Sequence, residues 1–455
     1  MFQGFYVQNI IPWLNHQDQG NEERMNKEKR FLPDLNPEQL AALQLEGLKW
    51  TVAHACSGSP AYREKFDQAR IKPEDITSLA DIEKLPFTTV EDLRRGYPLP
   101  LLSVPQEQIV RIHASSGTTG KRKILAYTQK DIDTWKVMMA RCFELAGLTT
   151  LDRVQIAVGY GLWTAGVGFQ LGCEHFGAMA VPLGPGNLDF QLQFLTDLQP
   201  ACLCSTASMA LLLAEQVEKM GLQDRIKLKK LIFGAEPHTP KMRRKIEQTL
   251  DLEDSFDIPG MTEVYGPGTG LECWEHKGMH YWADIFILEI VDPVSLKPVQ
   301  PGQTGEMVIT TLRKEGVPLI RYRTRDLTRI LPDPCPCGLN LPRHDRILGR
   351  SDDMFIFRGV NIYPGQIAEI LEGFKDISSE YLITLDRKKG LDFMQISVER
   401  KESASADNDS HLAGLISAQI RKKVMVRAEV DIQGPGKLPR SMGKSRRILD
   451  QRDQD

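Results

Sequence analysis

Short apolar runs alternate with segments of helical spacing through the middle of the chain. Val154-Gln155-Ile156-Ala157-Val158 and Ala178-Met179-Ala180-Val181-Pro182-Leu183 bracket one such segment, and Ala201-Cys202-Leu203-Cys204 and Lys230-Leu231-Ile232-Phe233 repeat the arrangement. Brief buried strands separated by helices predict an α/β architecture with a largely parallel sheet. Upstream, Asn36-Pro37-Glu38-Gln39 predicts a helix start, with a capping asparagine, proline at the first helical position and a glutamine that reaches back. Leu40, Leu43, Leu48 and Val52 carry its apolar face to about Cys56. Residues 128–145 read as a second helix, with Asp131 and Asp133 where the helix dipole favours anions. Residues 108–112 and 124–127 read as strands. From 285 to 328 the pattern changes to strands and turns, which predicts a β subdomain. A boundary is expected near Leu348-Gly349-Arg350-Ser351-Asp352-Asp353. The expected domains are therefore 1–349, large, with parallel and mixed sheets, helices and the β subdomain, and 350–455, small and α+β. Residues 399–412 read as a polar loop.

Composition narrows the class. Of 455 residues, 41% are hydrophobic and 26% charged, which is ordinary for a soluble globular protein. A net charge of −3 disfavours a nucleic-acid or membrane-surface binder, although the end of the chain is locally basic. The longest uncharged stretch, 154–173, holds five glycines and two glutamines, so a strand, a glycine loop and a helix start fit it better than a bilayer span. Met1 to Arg30 lacks the basic start and apolar run of a signal peptide. Eight cysteines without an export signal point to a reducing compartment, and the cytoplasm is expected.

The sharpest chemical signal is His113-Ala114-Ser115-Ser116-Gly117-Thr118-Thr119-Gly120-Lys121-Arg122-Lys123. Gly117 and Gly120 let the backbone turn its N–H groups toward an anion, and Ser115, Ser116, Thr118 and Thr119 add short hydroxyl donors. Lys121, Arg122 and Lys123 offset the anion's charge. This is a phosphate loop, but not that of the P-loop NTPases, which need four residues between the glycines and a hydroxyl after the lysine. Ligands of open α/β sheets bind beyond the carboxyl ends of strands. Gly234-Ala235-Glu236-Pro237 and Asp257-Ile258-Pro259-Gly260-Met261-Thr262-Glu263 are both placed for that, which makes Gly234, Ala235, Glu236, Asp257, Ile258, Met261 and Thr262 candidate nucleotide contacts.

The phosphate loop resembles that of the adenylate-forming enzymes, the acyl-CoA synthetase superfamily. The leader around Tyr62-Arg63-Glu64-Lys65-Phe66 and residues 82–98 look like the phenylacetate–CoA ligase branch, and the resemblance runs from about Tyr62 to Ile448. It implies an ATP-dependent ligase with a small, mobile C-terminal domain, in which an acid and ATP give an acyl-adenylate and pyrophosphate, and coenzyme A then displaces AMP. Glu263 matches the fifth family motif. A carboxylate facing a triphosphate is useful only with a cation between them, so Glu263 reads as a Mg²⁺ ligand. Pro259 stands where the family usually has a tyrosine on adenine. Asp326 matches the aspartate that accepts from the ribose hydroxyls, Arg350 the arginine after the last large-domain glycine, and Asp352 the hinge. Lys444, in Pro439-Arg440-Ser441-Met442-Gly443-Lys444, matches the lysine that bridges the acid's carboxylate and the α-phosphate. The branch commonly shows Tyr-Gly-Tyr-Gly-Leu-Phe where this chain has Val158-Gly159-Tyr160-Gly161-Leu162-Trp163, so Tyr160, Trp163, Gly234, Ala235 and Pro267 are expected walls of a reshaped aryl pocket. The alternative for Tyr160 and Trp163 is an ordinary core position.

Cys273, His280, Cys335 and Cys337 form a second constellation. Two thiols one residue apart, with a Cys and a His on a nearby β segment, suit a closed tetrahedral Zn²⁺ site. Similar cysteines hold a structural zinc in the phenylacetate–CoA ligase branch. Cys56, Cys142, Cys173, Cys202 and Cys204 read as core thiols. The expected partners are a small aryl carboxylic acid and coenzyme A, with no nucleic acid and no membrane, and the resemblance allows a homodimer. The competing functions are a ligase for another aryl acid such as indoleacetate or benzoate, an adenylating enzyme with a different acceptor, and a zinc-stabilised nucleic-acid binder.

Overall fold

The structure, a computed structural model, describes residues 31–115, 122–236, 238–358, 360–388, 391–438 and 447–452. Helix α1 (Pro37–Gly58) starts as its first residues dictate: the Asn36 side chain accepts from the Gln39 amide at 2.9 Å, and the Gln39 side chain accepts from the Asn36 amide at 3.0 Å. Leu48, Val52 and Ala55 are its fully buried apolar side chains. Cys56 at its end is half-buried and packs against the main hydrophobic cluster, so it sits at the margin of the core and not inside it. It lies in the last turn, where the helix meets the exposed Ser57-Gly58.

Strands β1 (Arg111–Ala114) and β2 (Ile124–Tyr127) pair antiparallel, Arg111 opposite Tyr127 and Ala114 opposite Ile124. The expected strand at 108–112 therefore starts late. Gln106–Gln108 instead takes a 3-10 turn after Pro105. The hairpin's connection is the predicted phosphate loop, closed at its base by Ser115 N–H donating to Lys123 O at 3.1 Å. Helix α2 (Gln129–Leu145) follows with a Thr128–Asp131 capping box.

The central sheet is parallel, in the order β4 (Met179–Val181), β3 (Arg153–Ala157), β5 (Cys202–Thr206), β6 (Lys230–Gly234), β7 (Asp254–Ile258). Helices α3 (Thr164–Phe176), α4 (Leu188–Asp197), α5 (Ala207–Met220) and α6 (Pro240–Leu250) alternate with these strands. Because β6 and β7 are adjacent and parallel, the loops that follow them leave the same edge of the sheet. Two short strands, β8 (Gly260–Met261) and β9 (Gly266–Pro267), pair just beyond β7. An all-antiparallel sheet comes next, β12 (Phe286–Val291), β13 (Gly305–Thr311), β14 (Tyr322–Thr328) and β17 (Gly349–Arg350). A second one joins β10 (Gly270–Glu272), β11 (Met279–Tyr281), β16 (Arg343–His344) and β15 (Ile330–Leu331).

Buried side chains between Phe355 and Ala428 form a hydrophobic cluster of their own, separate from the two clusters of the preceding residues. Most come from β18 (Phe355–Phe357), β19 (Val360–Ile362), helices α7 (Pro364–Glu372) and α8 (Asp409–Val424), and the two central strands of a sheet ordered β22 (Glu429–Gln433), β21 (Leu391–Arg400), β20 (Ile377–Lys388), β23 (Ile448–Asp450), whose outer strands pack against the cluster with partly buried Val430, Ile432 and Ile448. The expected polar loop at 399–412 is shorter than the sequence suggested. Strand β21 runs through Arg400, and α8 opens at Asp409, an acid in the first turn where the dipole favours it. Among the described residues no helix is long and apolar enough to cross a membrane.

Candidate active site

Two parallel strands end side by side at Gly234 and Ile258. A side chain at Gly234 would bring its Cβ within 2.5 Å of Ile258 O, so only glycine permits this approach. Ala235 follows with φ 70°, and the Glu236 carboxylate accepts from the Ser208 amide at the start of α5. After Ile258 the chain passes through Met261 and Thr262 to Glu263, a residue only 6% exposed. Three contacts fix this turn. The Lys123 ammonium donates to Glu263 Oε1, Tyr322 Oη donates to the same oxygen at 3.2 Å, and Tyr127 Oη donates to Thr262 O at 3.1 Å. A residue of the phosphate hairpin, the fifth-motif carboxylate and a tyrosine of β14 thus form one hydrogen-bonded chain.

Four residues along β14 from Tyr322, the Asp326 carboxylate accepts from Arg350 Nη1 at 2.9 Å, and Arg350 Nε and Nη2 hold Asp352 at 2.9 and 3.0 Å. Ser351 Oγ donates to Glu306 Oε2 at 2.7 Å, a carboxylate with no exposure that Arg323 also clasps through two bonds of 2.8 Å. The predicted ribose, arginine and hinge positions are therefore neighbours. Ser115 is buried at the edge of the hairpin. Ser116, Gly117, Thr118, Thr119, Gly120, Lys121 and Lys444 lie outside the described residues.

Tyr160 and Trp163 sit in the loop between β3 and α3. A Cβ at Gly166 would lie 2.5 Å from the Tyr160 ring, and one at Gly159 would lie 3.2 Å from the Trp163 ring. Trp163 is 50% exposed, so it is not an ordinary core aromatic, and Tyr160 is half-buried with its hydroxyl unbonded among the described residues. Pro267 lies on β9 opposite Gly260, beyond the end of β7.

Sequence reasoning missed the support beneath these groups. Arg243 of α6 holds Glu272 at 2.8 Å, and Glu272 accepts from the Asp257 amide at 3.1 Å. Burial, then repulsion from Glu272, pushes the Asp257 carboxyl up to about 7. A carboxyl with a raised native pKa binds more protons folded than unfolded, so its contribution is fully present below about pH 4 and is lost as pH rises through about 7. Asp257→Asn is accordingly expected to raise the melting midpoint at pH 8 and to leave it unchanged at pH 4. The gain should be on the order of 1–2 kcal/mol because Asp257 retains some solvent contact. Thermal melts of both proteins at the two pH values check this.

The four predicted metal ligands do converge: one donor atom of each of Cys273, His280, Cys335 and Cys337 lies within 4.8 Å of every other. Cys273 follows β10, His280 is in β11, and the two remaining cysteines lie between β15 and β16. Cys273 Sγ and Cys335 Sγ are 3.6 Å apart, close to the roughly 3.8 Å that a tetrahedral ion with bonds of about 2.3 Å imposes on two thiolates. His280 Nδ1 donates to Leu341 O at 2.9 Å, which leaves the Nε2 lone pair facing Cys337 Sγ at 3.3 Å. Burial lowers His280 to about 4, so its ring is neutral, as a ligand requires. Burial pushes the Cys273 thiol up to about 12, whereas the Cys337 amide and neighbouring thiols hold Cys335 down against the effect of its own burial.

Residues 40–312 match the AMP-binding enzyme family, and residues 359–452 match the AMP-binding enzyme C-terminal domain. The chain is 42% identical to a phenylacetate–coenzyme A ligase of Escherichia coli (strain K12) over 421 residues, 91% of this chain and 95% of that one. It belongs to the phenylacetate–CoA ligase branch of the AMP-binding enzymes. Its fold also matches a 2-hydroxyisobutyryl-CoA ligase in the postadenylation state, bound to an acyl-adenylate, with a TM-score of 0.82, 28% identity and 98% of each chain covered. Against that ligase in its thioesterification state with coenzyme A, the TM-score is 0.67 at 29% identity, over 92% of this chain and 91% of the other. Membership in this family makes the chain an AMP-forming acid–CoA ligase that uses ATP and coenzyme A.

Proposed function

We propose that the acid is an arylacetate, phenylacetate first, and that both half-reactions run at the site just described. The observation that carries this reading is the bonded chain from Lys123 through Glu263 to Tyr322, with Asp326 and Arg350 further along, at the carboxyl ends of β6 and β7. Residues 115–120 and Lys123 hold the phosphates of ATP. Asp326 and Arg350 hold the ribose side of the nucleotide, and Gly234, Ala235, Glu236, Asp257, Ile258, Met261 and Thr262 line the rest. Glu263 fits a Mg²⁺ ligand, being a buried carboxylate beside the phosphate hairpin, and the bound ion would offset triphosphate charge. The acid's carboxylate displaces pyrophosphate from the α-phosphorus, and the thiol of coenzyme A then displaces AMP from the acyl carbon. No enzyme nucleophile is needed, so positioning and charge supply the catalysis.

The reading divides the chain at residues 349 and 350, and the separate hydrophobic cluster after Phe355 supports that division. The higher likeness to a postadenylation form than to a thioesterification form of a related ligase supports rotation about Asp352 between the steps. Cys273, His280, Cys335 and Cys337 hold a structural Zn²⁺. Tyr160, Trp163, Gly234, Ala235 and Pro267 wall the acid pocket. An apolar pocket gains about 25 cal/mol for each Å² removed from water, so planar aryl acids should be turned over far better than acetate. A panel of phenylacetate, indoleacetate, benzoate and acetate, assayed for CoA-dependent AMP release, tests this. Acetate as good as phenylacetate would overturn the aryl assignment, and AMP release that ignores coenzyme A would move the acceptor elsewhere.

A further inference from the structure

Lys314 is fully buried, and among the described residues its ammonium has no hydrogen-bond acceptor. Nζ lies instead 4.2 Å from the ring centroid of Tyr127 and 5.2 Å from that of Tyr265. The loop that carries it is fixed from α2: Asp131 accepts from the Glu315 and Gly316 amides at 2.7 and 2.9 Å, and a Cβ at Gly316 would lie 2.4 Å from Ala126 O. Burial lowers the Lys314 pKa, and Asp131 opposes that. A charge so placed is weak evidence for stability, because an apolar residue of the same volume is often as good or better.

The two rings that receive the cation are the two that flank Glu263. Tyr127 Oη donates to Thr262 O, immediately before it. Tyr265, two residues after it, is buried with φ 75°, a conformation that a bulky residue keeps only when its surroundings over-determine it. A cation at the faces of both rings does two things. It draws electron density from the Tyr127 phenol, which strengthens its hydroxyl as a donor, and it gives Tyr265 an attraction that offsets the backbone strain.

We propose that Lys314 is a positioning residue for adenylation: through Tyr127 and Tyr265 it holds the 262–265 turn and so aims the Glu263 carboxylate. The proposal rests on Glu263 as the Mg²⁺ ligand.

The test uses the full chain. Lys314→Met removes the charge and keeps the length. The expected melting midpoint is unchanged or higher, while pyrophosphate release falls about tenfold or more and half-maximal rate needs several-fold more Mg²⁺. ATP binding measured by calorimetry without Mg²⁺ should match that of the parent protein. Tyr127→Phe should shift the Mg²⁺ requirement in the same direction, and the double variant should be no worse than the worse single one, since both act through one link. Parent-like Mg²⁺ dependence in Lys314→Met would overturn the proposal. If that variant does not fold, Tyr127→Phe decides alone, and an unchanged Mg²⁺ response there overturns it. Glu263→Gln separates the two layers: if it leaves the Mg²⁺ requirement unchanged, the Glu263 assignment itself fails.

Discussion

Lys444→Ala should slow acyl-adenylate formation by on the order of a hundredfold, as loss of a preorganised charge donor does where negative charge shifts in the transition state. The assignment comes from the Pro439-Arg440-Ser441-Met442-Gly443-Lys444 pattern, which lies beyond the described residues. The decisive comparison is between half-reactions. If the smaller domain rotates after adenylation, Lys444 leaves the site, and a synthetic aryl-adenylate offered with coenzyme A should still be converted by Lys444→Ala at near the parent rate. Asp352→Pro should show the reverse, because fixing φ at the hinge obstructs rotation while leaving adenylation possible. Asp352 is held by Arg350, which also holds Asp326, and Ser351 is held by the buried Glu306. These contacts span the proposed hinge and must exchange if it turns. Equal loss of both half-reactions in folded Lys444→Ala would refute the role and leave Lys437 as the next candidate.

What the sequence made legible is what depends on neighbours in the chain. The Asn36–Gln39 capping box spans three residues, and the strands 153–157, 202–206 and 230–234 coincide with short apolar runs, whereas 254–258, Asp-Ser-Phe-Asp-Ile, carries no such run and was not legible as a strand. Gly234 could be placed at a strand end for the same reason, and Glu263 through its match to the fifth family motif. The start of β1 was not legible, because Gln108 and Ile109 are as compatible with a turn after Pro105 as with a strand. Contacts made only by the fold were also out of reach. Tyr322 stands four residues from Asp326 in a run already singled out, but the shift of register in β14 and the φ of 70° at Arg325 break the alternation that would have related the two. Nothing in the pattern Arg313-Lys314-Glu315-Gly316 says that the lysine is buried against Tyr127. A lysine followed by an acid and a glycine normally reads as a solvated turn. The Arg243–Glu272 pair was hidden likewise, each residue unremarkable until α6 packs on β7.

The four predicted metal ligands are the long-range group that could be read in advance, since thiols and imidazoles that form no disulfide have few other reasons to gather. Purified protein should carry about one zinc per chain. Cys335→Ser should lose most of it, and with it several kcal/mol of stability, because binding free energy at a site absent from the unfolded chain is folding free energy. For a chain this large that corresponds to a fall in melting midpoint of roughly 5–10 °C. The effect on adenylation at 25 °C should be much smaller. All four ligands are protein side chains, the set that closes a tetrahedral ion without an open position, so the ion would have no site at which to meet substrate. Its mechanical reach is short but directed. Cys273 directly follows Glu272, which holds the Asp257 amide at the end of β7, so loosening the site should first be felt as weaker ATP binding and not as a slower chemical step. Metal analysis of protein prepared without chelator, with melts of the parent and Cys335→Ser, measures both parts. Zinc-free protein with the parent's full stability would show that four converging donors here are only a core.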